Sequence, residues 1–331
     1  MNARTLIRRL LVAMILGVLV YAGFVFFRGY QKIADELSRF AWWTFGAALA
    51  MTFGNYCLRF LKWEFYLALL GIRGIPKSDS FLTFLSGFVL TVTPGKVGEV
   101  FKSLVLFETH DVPMPKTAPI VVAERLTDLV GVVALVLVGS VGFPGGLVWA
   151  GAGAAAVAVV LAVVASRAIP DALIAWMDGR GGALGRLAPR LHTAWESLRR
   201  LVTPRALVVP TLLSIASWAL EGMSLYVLLT GFRAKVAPTF ALFCYATSQL
   251  AGALIPVPGG LGVTEGSLEQ QLVRLGGVDA AAATSAMILV RFATLWFAVA
   301  LGFVALALLR RRFPRLLAEP PKPKASTENA A

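Results

Sequence analysis

Two arginines carry the strongest chemical signal in the chain, and each stands the same distance behind a glutamate. Glu99 precedes Arg125 by 26 residues, and Glu265 precedes Arg291 by 26. Both glutamates directly follow a break rich in Pro and Gly, TPGKVGE at 93–99 and VPGGLGVTE at 257–265. Guanidinium groups bind phosphate oxygens through paired hydrogen bonds, and the exposed N–H groups of a helix start add partial positive charge. Arg125, Arg291 and Lys96, beside the break glycines Gly95, Gly98, Gly259, Gly260 and Gly262, therefore compose a cationic pocket suited to a phosphate. Glu99, Glu124, Asp128 and Glu265 would balance that charge when the pocket is empty. Glu64 and Glu221 each lie in the second half of an apolar run, where they either sit near water or carry protons.

The same residues also have an architectural reading. A charge in the middle of an apolar run such as that around Arg291 costs roughly 2.5–3.5 kcal/mol on insertion scales, so it requires a partner or a wet cavity. Glu265 is the evident partner for Arg291 and Glu99 for Arg125, and two such pairs could simply pin each break to the following helix. In AERLTDLV, Glu124 and Asp128 share a helix face at i, i+4, with Arg125 about a quarter turn away. Thr264-Glu265 also reads as a helix start with an acid in its first turn. GKVGE lacks the strand and the closing Lys-Ser/Thr of a phosphate-binding loop, and PGGLGVTEG is no dinucleotide fingerprint. Cys57 and Cys244 lie in separate apolar runs and His110 and His192 in separate loops, which leaves no metal-ligand spacing and no cofactor to expect.

The elements that must hold these residues are hydrophobic. The chain has 331 residues, of which 58% are hydrophobic and 15% charged, and its mean hydropathy is +0.76. Too few polar residues remain to cover a water-soluble fold, so the chain belongs in a bilayer. Its net charge of +13 gathers in short segments between apolar runs, the pattern that orients membrane proteins rather than one that binds nucleic acid. Spans are predicted at 6–27, 41–70, 117–140, 146–166, 206–230 and 279–309. Residues 80–108 and 238–275 are apolar but interrupted, which favours two re-entrant helical hairpins over full spans. Basic residues between the runs put both termini inside. The stripe Leu187, Leu191, Ala194, Leu198 and Leu201 makes an amphipathic helix, lying on the inner leaflet or packed on the bundle.

The two broken units align beyond their glycines. Val112 and Val278 each lie 13 residues before the arginine, and a span with a mid-run glutamate precedes each break. With the predicted orientation the units enter from opposite sides. They therefore form inverted repeats, about 41–140 and 206–309, joined by a cytoplasmic amphipathic connector at 167–205. The whole is an all-α polytopic membrane domain over 1–313, with a disordered tail at 314–331. In carriers built this way the substrate sits between discontinuous helices near the midplane.

PGKVGE, AERLTDLV, PVPGGLGVTEG and the closing VRFATLWFAVALG together resemble the flippase-like membrane domain of lysylphosphatidylglycerol synthases, over about residues 10–310. The resemblance implies lipid handling without the soluble aminoacyltransferase domain, and hence no transferase activity. The expected function is a flippase or scramblase for a phospholipid or polyprenyl-linked headgroup in the bacterial inner (cytoplasmic) membrane. Membrane lipids are the expected partners, with lipid-biosynthetic enzymes and a second copy of the chain as further candidates. Two alternatives stay open. One is a proton- or ion-coupled carrier of a small soluble anion using Glu64, Glu221 or Glu265; the other is a membrane-embedded transferase with Glu99, Glu124 or Asp128 as general base.

Overall fold

Pro and Gly divide the apolar runs into helices of two lengths, and the structure follows that division. A computed structural model describes residues 3–93, 99–140, 182–255 and 257–317 with five isolated positions at 151, 155, 158, 176 and 177, and its side chains from Ile15 onward and, in 182–201, from Ala188. The long helices are α1 (Ala3–Arg28), α3 (Trp43–Leu69) and α7 (Pro119–Ser140). The short pieces of the first half are α2 (Tyr30–Ser38), α4 (Lys77–Ser86) with a 3-10 turn at Gly87–Leu90, α5 (Phe101–His110) and α6 (Met114–Thr117). In the second half come α8 (Gly182–Leu201), α9 (Pro204–Gly231), α10 (Pro238–Leu254), a 3-10 turn at Pro258–Gly260 and α11 (Val263–Arg274). The last stretch is α12 (Ala280–Arg291), a π turn at Phe292–Trp296 and α13 (Phe297–Arg312). Among the described residues there is no strand.

The predicted spans 6–27, 41–70, 117–140, 206–230 and 279–309 thus coincide with helices, while the predicted span 146–166 lies outside the described residues. Both interrupted regions are short pieces, of 10 and 10 residues in the first and 17 and 12 in the second. Among the described residues, two helices are long and apolar enough to cross a membrane, Pro204–Gly231 and Ala280–Arg312. α3 and α7 are comparably long, at 27 and 22 residues, but Arg59, Lys62 and Glu64 in one and Glu124, Arg125 and Asp128 in the other lower their hydropathy.

α9 is the hub. It packs along α3 and α7 and also meets α10 and α12. Small residues let backbones approach where no water is left to drive association. A Cβ on Gly131 of α7 would lie 3.1 Å from the backbone of Ser214 and Ile215 on α9, and one on Gly302 of α13 would lie 2.7 Å from the Val89 nitrogen. Phe26, Phe27, Trp43, Leu212 and Leu254 face outward, an apolar exterior that suits hydrocarbon and would be a liability in water.

Helix starts follow their caps. The Asp279 carboxylate accepts from the N–H groups of Ala281 at 2.8 Å and Ala282 at 3.3 Å, satisfying donors that the first turn leaves free. In the amphipathic stretch, α8 packs on α6 and α7 with Ser197 and Leu201 buried, and it turns Arg190, Arg199 and Arg200 outward. The expectation of disorder from 314 is corrected at its start. Leu316 is buried and the Leu317 N–H donates to Glu108 at 2.8 Å; residues 318–331 lie outside the described part.

Candidate functional site

The second break is held by its own acid and the arginine that follows. Gly259, Gly260 and Gly262 have φ of 63°, 67° and 84°, a left-handed region open to glycine at little cost. The Gly262 N–H donates to Glu265 Oε2 at 2.7 Å, so the acid in the first turn caps its own helix. The other carboxylate oxygen accepts from Arg291 Nε at 2.6 Å, and a second Arg291 nitrogen donates to the Gly259 carbonyl at 2.7 Å. Arg291 therefore stitches the break to α12. The helix start at Gly262, expected to face a ligand, is occupied by Glu265, and Gly262 lines neither of the cavities described below.

Directly after Arg291 the chain widens into the π turn. Such bulges free a carbonyl from the helical ladder, and here the Tyr56 hydroxyl donates to the Thr294 carbonyl at 2.6 Å. α3 is thereby tied to the point where α12 becomes α13.

The first break carries the matching pair and more. Arg125 bonds Glu99, the partner expected from the 26-residue spacing. Arg125 also lies 3.6 Å from Asp128, one turn along α7. Unlike Arg291, whose side chain is 3% exposed, Arg125 is 27% exposed, and its Nε has no hydrogen-bond partner among the described residues. One arginine is sealed and the other keeps an open edge. Gly95, Lys96 and Gly98, expected in the same pocket, lie outside the described residues.

Three further cations join this cluster without having been singled out in the sequence. Lys62 Nζ reaches Asp128 at 2.6 Å and Ser214 at 2.8 Å, and Ser214 Oγ donates to the same carboxylate oxygen at 3.0 Å. Arg59 lies 3.7 Å from Asp128 and 3.9 Å from Glu99. Lys102 pairs with Glu124 and lies over the Trp63 ring, 4.7 Å from its centroid, a placement that favours a desolvated ammonium. A signal for the first two was present: Arg59 and Lys62 stand three residues apart inside an apolar span, where the cost applied to Arg291 applies equally. Glu124 and Asp128 share a face, as their spacing implies, but serve different cations.

Two adjoining cavities open between these groups. The larger, of about 270 Å³, has Arg125, Asp128 and Thr93 along its wall, together with Gln249 and the backbone of Gly259 and Gly260. Leu129, Val132, Leu250, Ala253, Ile255 and Val257 supply much of its apolar surface. The smaller, of about 50 Å³, is lined by Arg59, Glu221, Tyr56, Tyr245 and Arg291. Trp218, Gln249 and Gly259 border both. Glu221 is buried and accepts from the Tyr245 hydroxyl at 2.7 Å. Glu64, read alongside it in the sequence, borders neither cavity; it binds Lys77 and Ser80 near the surface. No group of three or more His, Cys, Asp or Glu side chains placed to hold a metal ion occurs among the described residues.

This arrangement can hold an anionic or hydrogen-bonding group at Arg125 while an apolar chain lies along the leucine and valine wall. Residues 14–302 match the family described as lysylphosphatidylglycerol synthase TM region. A relative described as a UPF0104 membrane protein, from Methanothermobacter thermautotrophicus, is 23% identical over 322 residues, covering 87% of this chain and 90% of the relative.

Proposed function

Since the chain belongs to the lysylphosphatidylglycerol synthase TM region family and is a membrane protein, we propose that it translocates a lipid across the cytoplasmic membrane by a flippase or scramblase route. The observation that carries this reading is the larger cavity. It joins a polar end at Arg125, Asp128 and Thr93 to an apolar wall from α7 and α10, and so matches the two chemistries of one lipid molecule. Glu99 and Asp128 hold the Arg125 guanidinium in place and compete with the headgroup for it. Cargo bound this way can be released.

In the same reading the broken segments are re-entrant hairpins of two inverted repeats, about 41–140 and 206–309, with both termini in the cytoplasm. Support comes from the recurrence of one unit, a Glu after a break bonded to an Arg 26 residues on, and from bases that border the apolar runs. Arg291 and Glu265 then serve as the fixed hinge of the second unit, with Arg125 as the cargo contact of the first. Membrane lipids are the partners, and no covalent bond need be made or broken.

Reconstituted vesicles containing a fluorescent short-chain phosphatidylglycerol test the proposal. With this protein, a membrane-impermeant reductant should bleach the inner-leaflet probe as well as the outer; Arg125→Ala should return bleaching toward the protein-free level. If the purified, folded protein leaves the inner leaflet protected under imposed ion and proton gradients, the reading is wrong.

A further inference from the structure

The interior charges close on one another, with one exception. Arg59, Lys62, Lys102, Arg125 and Arg291 each have a carboxylate within 4 Å, and those carboxylates are Glu99, Glu124, Asp128 and Glu265. Glu221 is the fifth acid of this interior. It is 6% exposed, and among the described residues no ion pair reaches it. Tyr245 donates to Glu221 Oε2 at 2.7 Å and accepts from Gln249 Nε2 at 2.8 Å. Gln249 borders both cavities. A directed hydrogen-bond chain therefore runs from the wall of the larger cavity to a buried carboxylate in the smaller one.

Around the two cavities, Arg59, Lys62, Lys102, Arg125 and Arg291 stand against Glu99, Glu124, Asp128, Glu265 and Glu221, so this cluster of described residues is neutral when empty. Entry of a phosphate diester headgroup adds one negative charge where the dielectric is low and uncompensated charge is costly. The described cations cannot supply the balance, because with Glu221 counted the five positive charges already equal the five negative ones. The acid without a cation can supply it by becoming neutral, and a nearby negative charge favours that form.

Several groups face Glu221 from the elements packed on α9. α3 brings Tyr56 and Arg59, α10 brings Tyr245, and α12 brings Arg291, all around the smaller cavity. α7 places Asp128 against Ser214, two turns along α9. α8 adjoins the start of α9 and turns Arg199 and Arg200 outward. Arg59 and Arg291 share the smaller cavity with Glu221, and among the described residues neither forms an ion pair with its carboxylate.

We propose that Glu221 is a proton site coupled to the cargo cavity. It takes one proton from water as a monoanionic phosphate headgroup enters beside Arg125 and returns it when the headgroup leaves, with Tyr245 and Gln249 linking the two events. The site's net charge is then the same empty and loaded. This inference rests on the lipid reading above and names its charge-compensating step.

Calorimetric titration with dioctanoyl phosphatidylglycerol, in two buffers of different protonation enthalpy at one pH, counts protons taken up per lipid bound. Uptake of about one proton is expected for the unmodified protein and for the control Glu64→Gln, and none for Glu221→Gln, which should still bind. Infrared difference spectra of the unmodified protein should gain the C=O stretch of a protonated carboxyl group on lipid addition, so the test survives a poorly folded variant. Binding without proton uptake, or full uptake in Glu221→Gln, overturns the proton site and leaves the lipid reading standing. Glycerophosphoglycerol, the same headgroup without acyl chains, separates the sources. If it binds as tightly and with the same uptake, the proton site holds and the lipid reading fails. If neither compound binds, both fall together.

Discussion

The two Arg–Glu pairs, alike in spacing, should differ sharply in what their removal costs. Arg291→Ala deletes the one ion-pair partner that Glu265, a carboxylate with no exposed surface, has among the described residues, and also strips the Gly259 carbonyl of its donor. Leaving one member of a buried pair uncompensated costs roughly 3–5 kcal/mol, and the orphaned carbonyl adds about 1–3 kcal/mol. Among the described residues Glu265 then keeps the Gly262 N–H. Arg125→Ala leaves Glu99 with Arg59 at 3.9 Å and Thr91 at 3.4 Å, and the lost side chain was partly solvated, so its cost is about 1 kcal/mol. Unfolding in mixed micelles of rising sodium dodecyl sulfate fraction, followed by tryptophan fluorescence, reads the difference directly. Arg291→Ala should unfold at a clearly lower fraction than Arg125→Ala, and Arg291→Met combined with Glu265→Gln should recover much of the loss, because no unpaired charge then remains buried. Equal destabilisation by the two single variants, or no recovery in the double one, would refute the reasoning that Arg291 is structural and Arg125 available for cargo.

Other substitutions probe the remaining supports. Lys62→Met should destabilise by roughly 3 kcal/mol, because Asp128 loses its nearest cation and keeps the Ser214 hydroxyl and its longer contacts to Arg59 and Arg125, and adding Asp128→Asn should restore part of it in the same unfolding assay. Gly260→Ala forces a side chain into a left-handed backbone and brings its Cβ within 2.6 Å of Thr264 Oγ1; a loss of about 1–3 kcal/mol is expected, with lipid transport falling alongside it because the residue borders the cavity. Asp279→Ala removes the cap of α12 and should cost about 1 kcal/mol, lowering the melting midpoint without altering transport in vesicles. Should Asp279→Ala abolish transport at full stability, the cap would have a role beyond holding the helix start.

Much of this molecule was written into local sequence. Apolar run length set the long helices, the Pro- and Gly-rich stretches read at 93–99 and 257–265 separate the short ones, and the repeated interval of 26 residues identified both Arg–Glu pairs, since a charge within an apolar run must find an opposite one nearby in the fold. Glu265 as a first-turn acid was legible for the same reason, its partner being the N–H three residues back. The alliance of Arg59 and Lys62 with Asp128 and the separation of Glu64 from Glu221 were not resolved in this way. These outcomes depend on distances of 2.6–3.9 Å between helices far apart along the chain. Only the packing of α9 against α3, α7, α10 and α12 fixes which acid each cation can reach and where a cavity is left over. A sequence states that a buried charge needs a counter-charge, but ionic attraction carries no address, and the tertiary structure supplies it by deciding which charges come within a few ångströms of each other.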